Sequence, residues 1–306
     1  MNRRAVVAIT GATGFIGRHI ADNLLARGFS LRALTRQASR QSINHLQWIQ
    51  GDLQQPASLA ELVSGADSVV HCAGQVRGHN EAVFTRCNVG GSLNLLQAAK
   101  ESGRCQRLLF ISSLAARHPD LSWYAKSKYV AEQQLSAQAS PVALGIFRPT
   151  AVYGPGDKEL KPVLSWLLRG VLPRTGAPDA RLSFLHVSDL AEAVSQWLCA
   201  INPLPQPYEL CDGLSTGYSW ESLRLIGAEV RRGPVRLIGV PLPLLKWLAD
   251  ISVFACRIAG KEPMLTRSKI QELTHHDWSA SNNSLSEDID WFPKITLQHA
   301  LREGWF

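Results

Sequence analysis

The sequence predicts an α/β protein: a doubly wound parallel sheet joined to a smaller C-terminal lobe. Three observations carry this. Short apolar runs alternate with helical periodicity through the first half of the chain. A glycine-rich turn, Gly11-Ala12-Thr13-Gly14, joins the first apolar run to the first helical one. After Gly154 the texture changes, with prolines at 155, 162, 173 and 178 and again at 203, 205, 207, 234, 241 and 243. Short elements interleave there without a period.

The elements follow in order. Residues 5–10 read as a buried strand, and 15–27 as a helix with Ile16, Ile20 and Leu24 on one face. Strands follow at 30–35 and 46–50. A helix over 56–63 opens on Pro56, which suits a first helical position. Residues 67–71 give a fourth strand, and 81–102 a long helix stopped by Gly103. A strand at 107–112, a helix at 123–139 and a strand at 142–147 complete the series. Strands alternating with helices imply right-handed crossovers and helices on both faces of the sheet.

Composition removes several function classes. Hydrophobic content of 45% with 19% charged residues belongs to a folded chain, not a disordered one. The net charge is +7, yet no run of Lys and Arg exceeds two residues and none is interleaved with aromatics. That argues against nucleic acid as a partner and leaves anionic ligands or a membrane surface. The six cysteines, at 72, 87, 105, 199, 211 and 256, form no CxxC pair. Free thiols, no metal and a reducing cytoplasm are the expectation. The N-terminal apolar run is only five residues long, too short for a signal peptide.

The motif Thr10-Gly11-Ala12-Thr13-Gly14-Phe15-Ile16-Gly17 sits between the first strand and the first helix. Gly11 permits the tight turn, Gly14 admits a pyrophosphate, and Gly17 lets the helix pack closely. The helix start at Thr13, Phe15 and Ile16 offers free N–H groups to phosphates. This is the Rossmann arrangement. Residues 1–155 and about 182–202 then form a dinucleotide-binding domain, and about 156–181 with 203–306 a substrate lobe. Where NAD-binding folds place an acid after the second strand, this chain has Arg36, with Arg40 nearby. Guanidinium groups suit a 2′-phosphate, so NADP is expected and NAD is the alternative. Asp52 can accept from an adenine amino group while Leu53 covers the ring; a plain turn would also use Gly-Asp. Ala73 and Gly74 end the fourth strand, at the edge where such sheets bind ligands. His71 beside them reads as a packed histidine.

Tyr124 and Lys128 are four apart and share a helix face. An ammonium beside a phenol would lower its pKa and suit it to proton transfer. Lys128 can also hold a nicotinamide ribose. Ser113, at the end of the fifth strand, can bond the reacting oxygen. A Tyr and Lys at this spacing also occur on ordinary surface helices. Their place behind the glycine motif gives the pair its weight.

The chain resembles the extended short-chain dehydrogenase/reductase superfamily, with its nucleotide-sugar epimerases and dehydratases, 3β-hydroxysteroid dehydrogenases and dihydroflavonol reductases. The matching pieces are TGATGFIG at 10–17, GDL at 51–53, HCAG at 71–74 and NVGGSLNLLQAA at 88–99. ISS at 111–113, YAKSK at 124–128, FRPTAVYGPGD at 147–157 and FLHVSDLAEAV at 184–194 continue them in order. The resemblance implies a catalytic triad of Ser113, Tyr124 and Lys128, with Arg148 and Pro149 beside the nicotinamide. It also implies a homodimer formed through the helices at 81–102 and 123–139. One departure is the short loop 114–120 between Ser113 and Tyr124, which in relatives is longer and walls the substrate pocket.

The last third is less explicit. Arg231-Arg232 could grip a diphosphate but reads as a solvated pair. His275-His276-Asp277 reads as a helix-end charge group, since adjacent histidines point apart. Residues 241–260 are mostly apolar, with Lys246, Asp250 and Arg257 on one narrow stripe. Packing in the lobe's own core is the first expectation; a partner subunit, an apolar substrate or peripheral membrane contact are the others. Leu244, Leu245, Leu248 and Phe254 are the candidates to face a substrate.

Three functions result. The first is an NADP-dependent reductase or dehydrogenase acting on a largely apolar ketone or secondary alcohol. The second is a nucleotide-sugar epimerase or dehydratase with bound NAD. The third is a catalytically silent NADP-binding sensor or assembly subunit, against which the intact Ser113, Tyr124 and Lys128 speak.

Overall fold

A computed structural model of the chain describes residues 4–37, 40–258, 262–263 and 265–306. The strands are β1 Val6–Thr10, β2 Ser30–Thr35, β3 Leu46–Gln50, β4 Ser68–His71, β5 Arg107–Ile111 and β6 Ala143–Pro149. They continue with β7 Ala151–Tyr153, β8 Val171–Arg174, β9 Arg181–Leu182, β10 Phe184–His186, β11 Pro207–Leu210, β12 Tyr218–Ser219 and β13 Arg236–Gly239. The helices are α1 Phe15–Ala26, α2 Pro56–Val63, α3 Glu81–Phe84, α4 Gly91–Glu101, α5 Trp123–Gln138 and α6 Lys161–Leu168. After them come α7 Val187–Cys199, α8 Trp220–Arg231, α9 Leu242–Ile258, α10 Arg267–Leu273, α11 Asn283–Ile289 and α12 Leu297–Glu303.

Seven parallel strands form the central sheet in the order β11-β6-β5-β4-β1-β2-β3. Strands covered on both sides need continuous apolar runs, and β1, β4 and β5 supply them. On one face Leu59 of α2, Leu95 of α4 and Leu135 of α5 pack against the sheet. On the other, Ile20 and Leu24 of α1 meet Val194 and Trp197 of α7. Gly145 is needed there, because a Cβ would lie 2.3 Å from the Trp197 ring. The strand order reverses between β1 and β4, which opens a crevice at their carboxyl ends.

The lobe has its own core, in which Leu164 and Leu167 of α6, Leu223 of α8 and Leu297 and Leu301 of α12 meet. Three details differ from the sequence reading. Residues 207–210, expected in the lobe, are β11 and extend the central sheet beside β6. The long helix at 81–102 is interrupted by a π-helical turn, Thr85–Gly90. The apolar helix α9 is not core: it buries Leu245 and Ala249 against Ile270 of α10 and leaves Leu244, Trp247, Leu248, Ile251 and Phe254 exposed. The lobe core around α6, α8 and α12 contains no residue of α9, and among the described residues one edge of α9 is buried. Among the described residues no helix is long and apolar enough to cross a membrane.

Candidate active site

The crevice is shaped by two glycines. Gly11 has φ of +75°, and a Cβ on it would lie 2.6 Å from the Ala73 nitrogen. A Cβ on Gly17 would lie 2.2 Å from the Gly11 oxygen. α1 therefore starts tight against the ends of β1 and β4. Gly14 caps it without a side chain, and its first turn holds no acid, so the N–H groups around Thr13, Phe15 and Ile16 face an open, electropositive end. This helix end, capped by Gly14 with no side chain over it, fits the pyrophosphate of a dinucleotide.

The flanking residues are placed as follows. Arg36 follows β2, is exposed, and makes no hydrogen bond or ion pair among the described residues. Arg40 is occupied: it stacks 4.6 Å over the Trp48 ring and donates to Gln37. Asp52 accepts from the Gln54 nitrogen at 2.9 Å in a local turn. Leu53 is buried against Gly91 of α4, so its side chain serves the core. Gly74 keeps the Lys128 ammonium clear, since a Cβ there would lie 3.3 Å from Nζ.

His71 is the packed residue its position suggests. Its Nδ1 bonds the Thr10 hydroxyl at 2.6 Å and its Nε2 bonds Ser92 at 2.9 Å. The Thr10 oxygen accepts from the Ala73 nitrogen and the Ser92 hydroxyl donates to the Asn88 carbonyl, which leaves Nε2–H as the imidazole donor. Burial, with the Lys128 charge adding, lowers its pKa to about 3, so the ring is neutral.

The sequence-predicted triad comes together at the ends of β5 and α5. Ser122 caps α5 by accepting from the Ala125 nitrogen at 2.9 Å, which sets Tyr124 in the first turn and Lys128 in the next. The Ser113 side chain, which accepts from the Ala115 nitrogen at 3.2 Å, stands beside the Tyr124 phenol and favours its ionised form. Lys128 is 4% exposed, donates to the Ile111 carbonyl at 2.9 Å and lies 4.6 Å over the Phe110 ring. Burial pulls its pKa down to about 8.

One expectation is corrected here. Tyr124 is held above its ordinary pKa, not below it: burial raises it, Ser113 opposes this, and the Glu272 and Glu159 charges add to the rise. Lys128 is not among the groups that shift Tyr124 in the cofactor-free site, and burial dominates. The phenol is thereby kept protonated at neutral pH, as a proton donor needs.

Sequence reasoning missed three supports. Asn88, in the π-helical turn, is 1% exposed; it accepts from the Gln75 nitrogen at 2.6 Å and donates to Ser127 at 2.8 Å. An amide inside an apolar helical pattern was the available signal. Glu132, also 1% exposed, accepts from Ser112 and from the Arg148 guanidinium at 3.0 and 3.1 Å. Arg148, expected beside the nicotinamide, pins β6 to α5 through this pair. The third is Glu272 of α10, 7% exposed, which bonds the Ser122 hydroxyl and accepts from Lys269 at 2.7 Å.

The pocket at Tyr124 is lined by Val76, Arg77, Gly78 and Phe84 on one side and by Ser122, Pro263, Thr266, Ser268, Lys269 and Glu272 on the other. Leu244, Leu245, Leu248 and Phe254 do not line it. The short loop 114–120 is clamped to the C-terminal segment, where Arg117 donates to Ser279 and Asp277 carbonyls at 2.8 and 3.0 Å. α10 supplies the wall that the loop does not. His275 stacks 4.2 Å from His118 while His276 pairs with Asp179 at 3.1 Å, so the two histidines serve different contacts. Arg231 bonds the Leu168 and Pro234 carbonyls.

The model of the NAD dependent epimerase/dehydratase family matches residues 7–210. A ceramide reductase of Caulobacter vibrioides is 33% identical over 292 residues, covering 94% of this chain and 89% of that protein. A 3 beta-hydroxysteroid dehydrogenase/Delta 5→4-isomerase of Mycobacterium tuberculosis is 28% identical over 325 residues, covering 85% and 86%. A solved UDP-glucose 4-epimerase of Thermus thermophilus in complex with NAD superposes with a TM-score of 0.70 at 22% identity, over 97% of this chain and 96% of that one. That last likeness is one of fold.

Proposed function

The chain belongs to the NAD dependent epimerase/dehydratase family, and from that premise we propose that it is an NADP-dependent reductase of a long-chain lipid ketone whose neighbouring carbons carry amide or hydroxyl groups. The observation that carries this reading is Tyr124, set beside Ser113 and lining a pocket with a polar wall of Ser122, Lys269 and Glu272. The similarity to a ceramide reductase supports the lipid class.

In this reading the bound nicotinamide supplies the hydride to the carbonyl carbon. Gly11, Gly14 and the start of α1 hold the pyrophosphate, and Arg36 pairs with the 2′-phosphate. Ser113 donates a hydrogen bond to the substrate carbonyl oxygen. Tyr124 gives that oxygen its proton as the carbon gains the hydride, so a secondary alcohol forms and the phenolate is reprotonated from solvent. Lys128 orients the nicotinamide ribose and offsets the phenolate charge. Glu272 and Lys269, already paired, present an acceptor and a donor to the polar groups beside the ketone. This refines the expectation of a largely apolar substrate: its reacting end is polar and its chain is apolar.

The test is NADPH oxidation by the purified protein with a panel of 3-keto long-chain amides, steroid ketones and UDP- and dTDP-sugars. Turnover of a keto amide that is abolished in Tyr124→Phe supports the reading. Conversion of a nucleotide sugar without activity on any lipid ketone overturns it in favour of epimerase or dehydratase chemistry.

A further inference from the structure

Helix α9 carries two apolar faces, and the lobe covers one of them. Leu245 and Ala249 pack on α10. On the far side Leu244, Trp247, Ile251 and Phe254 recur at helical spacing and are 44%, 59%, 44% and 68% exposed. At 3.6 residues per turn the charged stripe of Lys246, Asp250 and Arg257 falls on the flank between these faces. Asp250, the one acid of the helix, is bonded to Arg267 at 2.7 and 2.8 Å, which leaves Lys246 and Arg257 to set the sign of that flank.

The patch extends beyond the helix. β13, which leads into α9, pairs with β8, and Ile238 with Trp166, Val171 and Pro173 lines a shallow apolar depression bordered by Arg169. Exposed Arg236 is two residues from Ile238 on β13 and so shares its strand face. Single exposed apolar side chains are ordinary, but a contiguous apolar patch with a polar rim marks an interaction surface.

We propose that α9 and the adjoining β8–β13 edge lie on the surface of an anionic phospholipid bilayer. Trp247, Ile251 and Phe254 enter the boundary between headgroups and acyl chains, while Lys246, Arg257 and the nearby arginines meet lipid phosphates. Charge decides between this occupant and a second copy of the chain. A two-fold contact would set the basic rim against itself in a protein that already carries +7. The helix has 17 residues and three charges and lies along a membrane instead of crossing it. α10 then stands between the bilayer and the pocket, with Ile270 against α9 and Lys269 and Glu272 lining the pocket. A lipid substrate would cross roughly one helix diameter, about 10 Å, to reach Tyr124. The docking does not depend on the reaction proposed above, so the two fail separately.

The test sediments the full-length protein, with NADPH bound, on vesicles of phosphatidylcholine alone or with about one-third phosphatidylglycerol. The expected result is binding to the anionic vesicles that weakens with salt and falls about tenfold or more in the Trp247→Ser, Phe254→Ser double variant. Both side chains are exposed and outside the pocket, so NADPH affinity should be unchanged and confirms that the variant is folded. No binding to anionic vesicles, or equal binding by wild type and variant, overturns the proposal. A dimer that the double variant loses, without vesicle binding, assigns the face to a second copy and overturns it as well.

Discussion

The Lys128 ammonium is anchored at 2.9 Å to the carbonyl oxygen of Ile111, the last residue of β5 and two positions before Ser113. One hydrogen bond thus locks the helix that carries Tyr124 to the strand end that carries Ser113. It also fixes a buried charge, which lowers the Lys128 pKa to about 8. In the reductive direction kcat/KM should be level near neutral pH and fall as pH rises through about 8, where the ammonium loses its proton. Tyr124 is raised and contributes no limb there. Lys128→Arg, whose side chain does not titrate, should move the limb out of range while NADPH still binds. A limb that stays near 8 in that variant would take the titration away from Lys128. Stability gives a second readout. The folded pKa is below the unfolded 10.5, so the unfolded chain binds more protons between about 8 and 10.5. The Lys128 contribution to stability therefore rises with pH across that window and is lost as pH falls through about 8. Cys72, Cys105 and Cys211, raised above their ordinary pKa by burial, act the other way above about 9. The readout is therefore a difference: the thermal stability of cofactor-free wild type relative to Lys128→Met should rise with pH from about 8 to 10.5.

Arg36 is exposed, unpaired among the described residues, and stands where an acid would select NAD. A charge-assisted bond to a 2′-phosphate is worth about 1.5–3 kcal/mol, or roughly 10- to 100-fold in affinity. Titration of Arg36→Ala should show that loss for NADPH and little change for NADH. Arg40, already stacked on Trp48, should matter less. Equal affinity of the unmutated protein for NADH and NADPH would refute the preference.

The sequence made the sheet and the crevice readable because both are written in local chemistry. β1, β4 and β5 are continuous apolar runs, and Gly11 and Gly17 are positions where a side chain has no room. Ser113, Tyr124 and Lys128 were legible from one strand end and one helical spacing. What escaped depends on pairs distant in sequence. Ser122 and Glu272 meet across 150 positions, and no periodicity links them. Glu132 could be placed on the helix face of Lys128, but its bond to Arg148 required knowing where β6 lies. The direction of the Tyr124 shift was missed because it turns on burial and on Glu272 and Glu159, which are far from Tyr124 in sequence. Periodicity also showed that α9 has too much apolar surface, yet it could not say that the lobe core would contain no residue of that helix. β11 escaped because four residues that begin on a proline do not reveal which sheet they join.

The Glu132–Arg148 pair makes the last prediction. Glu132 is 1% exposed, and its carboxylate is held by two guanidinium nitrogens and the Ser112 hydroxyl. A buried pair adds little net stability over an apolar replacement, but removing one partner strands the other charge at a cost of about 3–5 kcal/mol. Arg148→Leu should therefore lower the free energy of unfolding in urea by an amount in that range. Arg148→Leu combined with Glu132→Leu should recover much of the loss, because no charge is then left without a partner. The double variant should still lose activity, since α5 and β6 would no longer be pinned beside Ser113 and Tyr124. A loss below about 1 kcal/mol in the single variant would mean that water reaches Glu132 and that the pair does not hold the site.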